Sequence, residues 1–135
     1  MRRISNLLIA LATGFAALAA PLHASRADGA LAIAQGPRGT WAYGTANNQP
    51  SIEDAVMVAM DYCRNNDLGI KGCKIVTTFA NTCIAVAIEN DGEGNAYGWA
   101  TNESLKTARR IAMTRCLERT SECSIRKSYC DDGAH

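Results

Sequence analysis

The residues best suited to chemistry are six cysteines, Cys63, Cys73, Cys83, Cys116, Cys123 and Cys130. Thiols in this number hold a metal, attack as nucleophiles, or pair with one another. Cys116-x6-Cys123-x6-Cys130 could supply thiolates to zinc, but zinc sites usually carry a close pair such as C-x2-C, and the chain has none. Its two histidines, His23 and His135, lie in an apolar leader and at the last position. Neither is placed to complete a metal site or to serve as the base of a nucleophile triad. Pairing into three disulfides is therefore expected, with no metal and no cofactor. The chain also lacks G-x-S-x-G, a P-loop and G-x-G-x-x-G.

Carboxylates offer a second chemistry, acid–base cleavage by an opposed pair. The candidates are Glu53 and Asp54 at a helix start, and Glu89, Asp91, Glu93 and Glu103 around a hairpin. Adjacent helical residues point about 100° apart, so Glu53 and Asp54 do not share a target. The run Glu89-Asn90-Asp91-Gly92-Glu93-Gly94-Asn95 lacks the order and the closing glutamate of a calcium loop, and reads as a turn. A small carboxylate-dependent hydrolase is the alternative to a protein that only binds, and a purely structural envelope protein is a third reading.

Two groups of residues suit binding. Trp41 and Tyr43 share one strand face, as do Tyr97 and Trp99, and four such aromatics could line a groove for sugar or peptide. Lys106, Arg109 and Arg110, with Arg115, Arg119, Arg126 and Lys127, make the second helix and its exit basic, whereas Glu53, Asp54 and Asp61 make the first acidic. The basic segment carries no interleaved aromatics, so a nucleic-acid partner is not expected. Val56, Met57, Val58 and Met60 leave the first helix apolar almost all round, which suits deep burial or a partner.

The elements that position these residues come from an internal repeat. Residues 51–63 overlie 104–116 without a gap, with Ser, two Ala, Met and Cys coinciding. Ala42-Tyr43-Gly44 answers Ala96-Tyr97-Gly98, Leu31-Ala32-Ile33 answers Val86-Ala87-Ile88, and Phe79 answers Tyr129. Each unit, about 30–80 and 84–130, reads strand, strand, helix, strand. Strands are expected over 30–34, 40–45, 84–89 and 96–101, with turns at 36–39 and 91–94. Ser51 and Ser104 are N-caps, and Ala55/Ala59/Cys63 and Ala108/Ala112/Cys116 each share one helix face. Small residues there let the helix sit close to a sheet, with Ile33, Ile75, Val86 and Ile88 as the larger side chains opposite. The expected fold is α+β, two ββαβ pseudo-repeats with antiparallel strands and two packed helices. The repeat pairs Cys63 with Cys73 and Cys116 with Cys123, which leaves Cys83 and Cys130 to join the copies. The two short loops then contribute roughly 2.5–3 kcal/mol each and the long one roughly 4 kcal/mol by loop entropy.

Compartment follows from the start of the chain. Met1-Arg2-Arg3, an apolar run over residues 4–20, then Pro21-Leu22-His23-Ala24 have the layout of a signal peptide cleaved after Ala24, or else after Ala27. Residues 25–135 then form one domain with twelve basic against thirteen acidic residues. That balance leaves no global field to draw in nucleic acid or an anionic membrane, and no later apolar run is long enough to span a membrane. The charged fraction of 20% and apolar fraction of 47% describe a folding chain rather than a disordered one.

Tyr-Gly, an Ala-rich helix ending in Cys, then Cys73-Lys74-Ile75-Val76 with Phe79, Cys83 and Ala85 resemble the bacterial domain-of-unknown-function 4189 family, over residues 43–130. The resemblance implies a small exported bacterial domain with disulfides and carries over no catalytic residue. The second copy departs from the first in that Cys130 follows Tyr129 directly whereas Cys83 lies four beyond Phe79, as if its last strand were shorter. The expected function is a periplasmic or secreted, non-catalytic binding protein, of inhibitor or immunity type, that engages a protein or a cell-wall component.

Overall fold

The computed structural model describes residues 27–90 and 96–131; the leader, the turn at 91–94 and His135 lie outside the described residues, wholly or in part. Among the described residues the chain runs β1 (Asp28–Gln35), a 3-10 turn (Pro37–Gly39), β2 (Trp41–Gln49), α1 (Ile52–Arg64), β3 (Lys74–Ala80), β4 (Cys83–Glu89), β5 (Tyr97–Asn102), α2 (Leu105–Leu117) and β6 (Cys123–Cys130). The first hairpin turns through Arg38 at φ 57° and Gly39 at φ 70°, both left-handed, and Gly36 N–H closes it on the Thr40 carbonyl at 2.8 Å.

Each repeat makes its own three-stranded antiparallel sheet, β2-β1-β3 and β5-β4-β6. The registers agree in detail. Leu31 pairs with Thr45 and Thr77 while Val86 pairs with Trp99 and Lys127, and both sheets carry an irregularity after that residue, between Leu31 and Ala32 and between Val86 and Ala87. This is an α+β fold of two ββαβ units. Ser51 and Ser104 cap α1 and α2 by accepting from the N–H groups of Asp54 at 3.1 Å and Thr107 at 3.4 Å.

The central strands β1 and β4 are buried on both faces, and their sequences alternate small with large rather than apolar with polar. Ala30, Ala32 and Ala34 pack with Ala55, Ala59 and Cys63 of α1, and Ala85 and Ala87 pack with Ala108, Ala112 and Cys116 of α2. On the other face Leu31 and Ile33 meet Ile84, Val86 and Ile88 in a core shared by the two sheets. The layers run helix, sheet, sheet, helix. The helices come so close that a Cβ on Gly44 would overlap the Ala59 carbonyl oxygen and stand 2.5 Å from the Cys63 nitrogen. Gly98 sits identically, 2.6 Å from the Cys116 nitrogen. The Tyr-Gly of each repeat thus puts the aromatic toward the other sheet and the bare backbone toward the helix.

All six cysteines are paired, Cys63–Cys73, Cys83–Cys130 and Cys116–Cys123. Three expectations are corrected. Cys83–Cys130 does not join the copies: the two residues are register partners on β4 and β6 of the second sheet. The second copy does not have a shortened strand. Ala80, paired with Asp28, is the counterpart of Cys130, paired with Cys83, so Cys83 opens the second repeat. Ile33, Val86 and Ile88 face the opposite sheet rather than a helix; of the four larger residues only Ile75 packs on the helix side. The repeats are therefore held to each other by packing and hydrogen bonds, not by sulfur.

Candidate functional site

Antiparallel pairing sends alternate main-chain groups to opposite edges of a strand. Because Gly36 N–H bonds to the Thr40 carbonyl, the ladder bonds of β2 fall at Ala42 and Gly44, opposite Ala34 and Ala32. The N–H and C=O groups of Trp41, Tyr43 and Thr45 then point away from β1, along the outer edge of the sheet. In the second repeat Glu89 N–H bonds to the Ala96 carbonyl at 3.1 Å, so Tyr97, Trp99 and Thr101 face outward on β5.

The two edges end differently. On β5 the Arg115 guanidinium donates to the Trp99 carbonyl at 2.7 Å and lies 5.9 Å from the centroid of the Trp99 ring. Arg119 stacks in the same way 5.8 Å from the Tyr97 ring. The residue of α1 that corresponds to Arg115, one before the helix-end cysteine, is Tyr62. It is 65% exposed and bonds to none of these main-chain groups. The edge of β2 at Tyr43 and Thr45 is therefore left open. It lies along a groove of about 490 Å³ lined by Tyr43, Gly44, Thr45, Asn47, Tyr62 and Lys127. Tyr43 is 36% exposed, and Lys127, exposed on β6, has no ion-pair partner among the described residues.

Beyond the groove, Tyr129 of β6 and Asp131 just after it hold β2 from the side of the second sheet. Tyr129 donates its hydroxyl to the Ala46 carbonyl at 3.2 Å, and Asn48 N–H, at φ 54°, donates to the buried Asp131 carboxylate at 3.1 Å. Burial pushes the Tyr129 phenol up to about 12; the nearby Asp131 charge adds to this, and a hydrogen bond with Thr45 opposes it.

The aromatics expected to form one binding face are split by this arrangement. Trp41 and Tyr97 meet edge to face across the two sheets with centroids 4.8 Å apart, and Trp99 is half-buried beneath Arg115. Tyr43 alone of the four lines the groove. Lys106, Arg109 and Arg110 are exposed on α2, in the layer beyond the second sheet, and are not brought to the aromatics. Tyr62 and Lys127 complete the groove. Nothing in the sequence marks either as a partner of Tyr43, although the mismatch of Tyr62 with Arg115 is visible when the two helices are aligned. On α1, Met57 is exposed while Val56 and Met60 are half-buried along a furrow with Ile75.

Two of the six carboxylates read from the sequence have structural work; Glu53 and Glu103 are exposed, and Asp91 and Glu93 lie outside the described residues. Asp54 accepts from the Ser51 hydroxyl at 2.7 Å, and Glu89 accepts from the Thr120 hydroxyl at 2.6 Å and the Ala96 N–H at 3.4 Å. Among the described residues no three His, Cys, Asp or Glu side chains gather as metal ligands would, and no helix is long and apolar enough to cross a membrane. Three disulfides indicate an oxidising, extracytoplasmic setting.

No curated protein and no solved structure matches the chain. Residues 29–130, from the second residue of β1 to the last of β6, match one family throughout. With that match covering both repeats and all six cysteines, the chain belongs to the family described as Domain of unknown function (DUF4189).

Proposed function

We propose that the protein is exported, loses residues 1–24, and acts in the periplasm or outside the cell as a non-catalytic binding protein whose partner is another protein. The observation that carries this reading is the groove beside β2, where exposed Tyr43 and Tyr62 flank the exposed Lys127 and open main-chain groups. Tyrosines offer large contact area at small entropic cost, and exposed strand edges without a cap invite a partner. A frame stapled by three disulfides keeps that surface pre-organised, which suits an inhibitor or immunity-type protein. The engagement of Asp54 and Glu89 in capping and hairpin bonds weighs against the alternative, a carboxylate hydrolase of the envelope.

The test is capture from an envelope extract by the oxidised chain 25–135, compared with the double variant Tyr43→Ala, Tyr62→Ala. Loss of a specific captured protein in the variant supports the reading. Turnover of cell-wall polymer by the wild type, abolished by a single carboxylate substitution, would overturn it.

A further inference from the structure

We infer that the partner binds by strand addition: an extended peptide with alternating apolar and acidic residues pairs with the open edge of β2 at Tyr43 and Thr45. This rests on the reading that the ligand is a protein, and it names how that protein is held.

The argument is a comparison within the molecule. Both sheets have an outer hairpin strand with main-chain groups facing away from its neighbour. On β5 the side chain of Arg115 already occupies the Trp99 carbonyl, which is one way proteins blunt a sheet edge. On β2 the corresponding carbonyl is that of Thr45, and the corresponding side chain is Tyr62, which cannot deliver a guanidinium. Further along β2, the Asn48 N–H is already taken by Asp131. The stretch of β2 at Tyr43 and Thr45 is therefore open where the equivalent carbonyl of the other half, at Trp99, carries a cap. Alternating N–H and C=O groups in a row are best satisfied by another strand.

The side chains that flank the edge specify the peptide. Tyr62 stands on the helix side of the sheet, where Gly44 contributes no side chain, and offers an aromatic surface to residues of one parity. Tyr43 and Lys127 stand on the side of the second sheet and face residues of the other parity. Successive side chains of a strand point to opposite faces, so apolar residues fall on Tyr62 and acidic ones beside Lys127.

The experiment uses the oxidised chain 25–135 and a blocked octapeptide alternating Val and Glu. Two versions are N-methylated, each on residues of one parity, and a fourth peptide replaces Glu by Lys. Binding of the Val/Glu peptide should slow amide hydrogen exchange at Tyr43 and Thr45 at least tenfold. One N-methylated version should bind and the other should not. Tyr62→Arg, which installs the cap found on β5, should weaken binding at least tenfold with an unchanged melting temperature, and Lys127→Glu should reverse the preference toward the Lys peptide. Absence of protection at these two amides, or equal binding of both N-methylated peptides, overturns strand addition. So does protection already present in the free chain and lost in a chain beginning at residue 27, which would make the occupant its own N-terminal segment. Capture of an envelope protein that Tyr62→Arg leaves intact but Tyr43→Ala abolishes would sink strand addition while leaving the binding reading in place.

Discussion

The Tyr129 hydroxyl bonds to the Ala46 carbonyl at 3.2 Å, fastening the last strand of the second repeat to the second strand of the first. Its counterpart Phe79 has no hydroxyl, so the two-fold relation between the halves is broken at this bond. The rings of Tyr129 and Phe79 themselves lie 6.2 Å apart, between the sheets. The phenol is held neutral, with its pKa raised from 10.0 to about 12. Its contribution to stability is therefore complete below pH 10, where folded and unfolded chains both keep the proton, and is lost as pH rises from 10 toward 12. Absorbance titration should show one of the four tyrosines ionising near pH 12, and Tyr129→Phe should remove that step and flatten the alkaline fall in stability. A Tyr129→Phe titration identical to wild type would contradict the assignment.

Gly44 and Gly98 are required by the close approach of each helix to its sheet. Gly44→Ala or Gly98→Ala must push the helix away or bend the strand, at an expected cost of about 3 kcal/mol each. Denaturant melts of the two variants check this, and similar costs in both would reflect the matched geometry of the halves.

No disulfide crosses between residues 27–80 and 83–131. A protease site placed at the Asn81-Thr82 turn should give two fragments that separate on a denaturing gel without reductant. Fragments that stay together would require a link such as Cys63–Cys116. Replacing Cys116 and Cys123 by Ala should cost about 2.5 kcal/mol, by the loop-entropy relation for a short loop.

Asp131 carries the turn at Asn48. Asp131→Ala leaves a main-chain N–H without its acceptor and should cost about 1–3 kcal/mol. Asn48→Gly, suited to the left-handed backbone there, should change stability by less than about 1 kcal/mol, and Asn48→Val should be far worse. Thermal melts of the three variants give the ranking.

Arg115→Ala removes the cap from β5 and the cation from the Trp99 ring. The expected loss of stability is small, about 1 kcal/mol, because the guanidinium is exposed. Trp99 should become more accessible to a fluorescence quencher, whereas Trp41, packed on Tyr97 in the inter-sheet core, should not.

Local information in the chain was enough for much of this fold. The two-fold repeat follows from matched residue types, because each ββαβ unit needs the same small face on its helix and the same turns. The N-caps at Ser51 and Ser104 are read from one side chain and the helix that follows it. Two of the three disulfides follow from equivalent loops in the two copies, and the third is what remains, but that Cys83–Cys130 lies within the second sheet is not legible in the sequence. What tertiary structure alone decided is where each unit puts its second apolar face. Ala30-Leu31-Ala32-Ile33-Ala34 reads as one apolar run, but its small members receive a helix and its large members receive the other sheet, a choice set by which volumes fit between layers. The same holds for the groove. Tyr43, Tyr62 and Lys127 come from a strand, a helix and a strand of the other repeat, and nothing local to any of them says they meet. Their proximity exists only because two sheets stack with β6 beside β2, and because Tyr62 stands where its twin in the second repeat is an arginine.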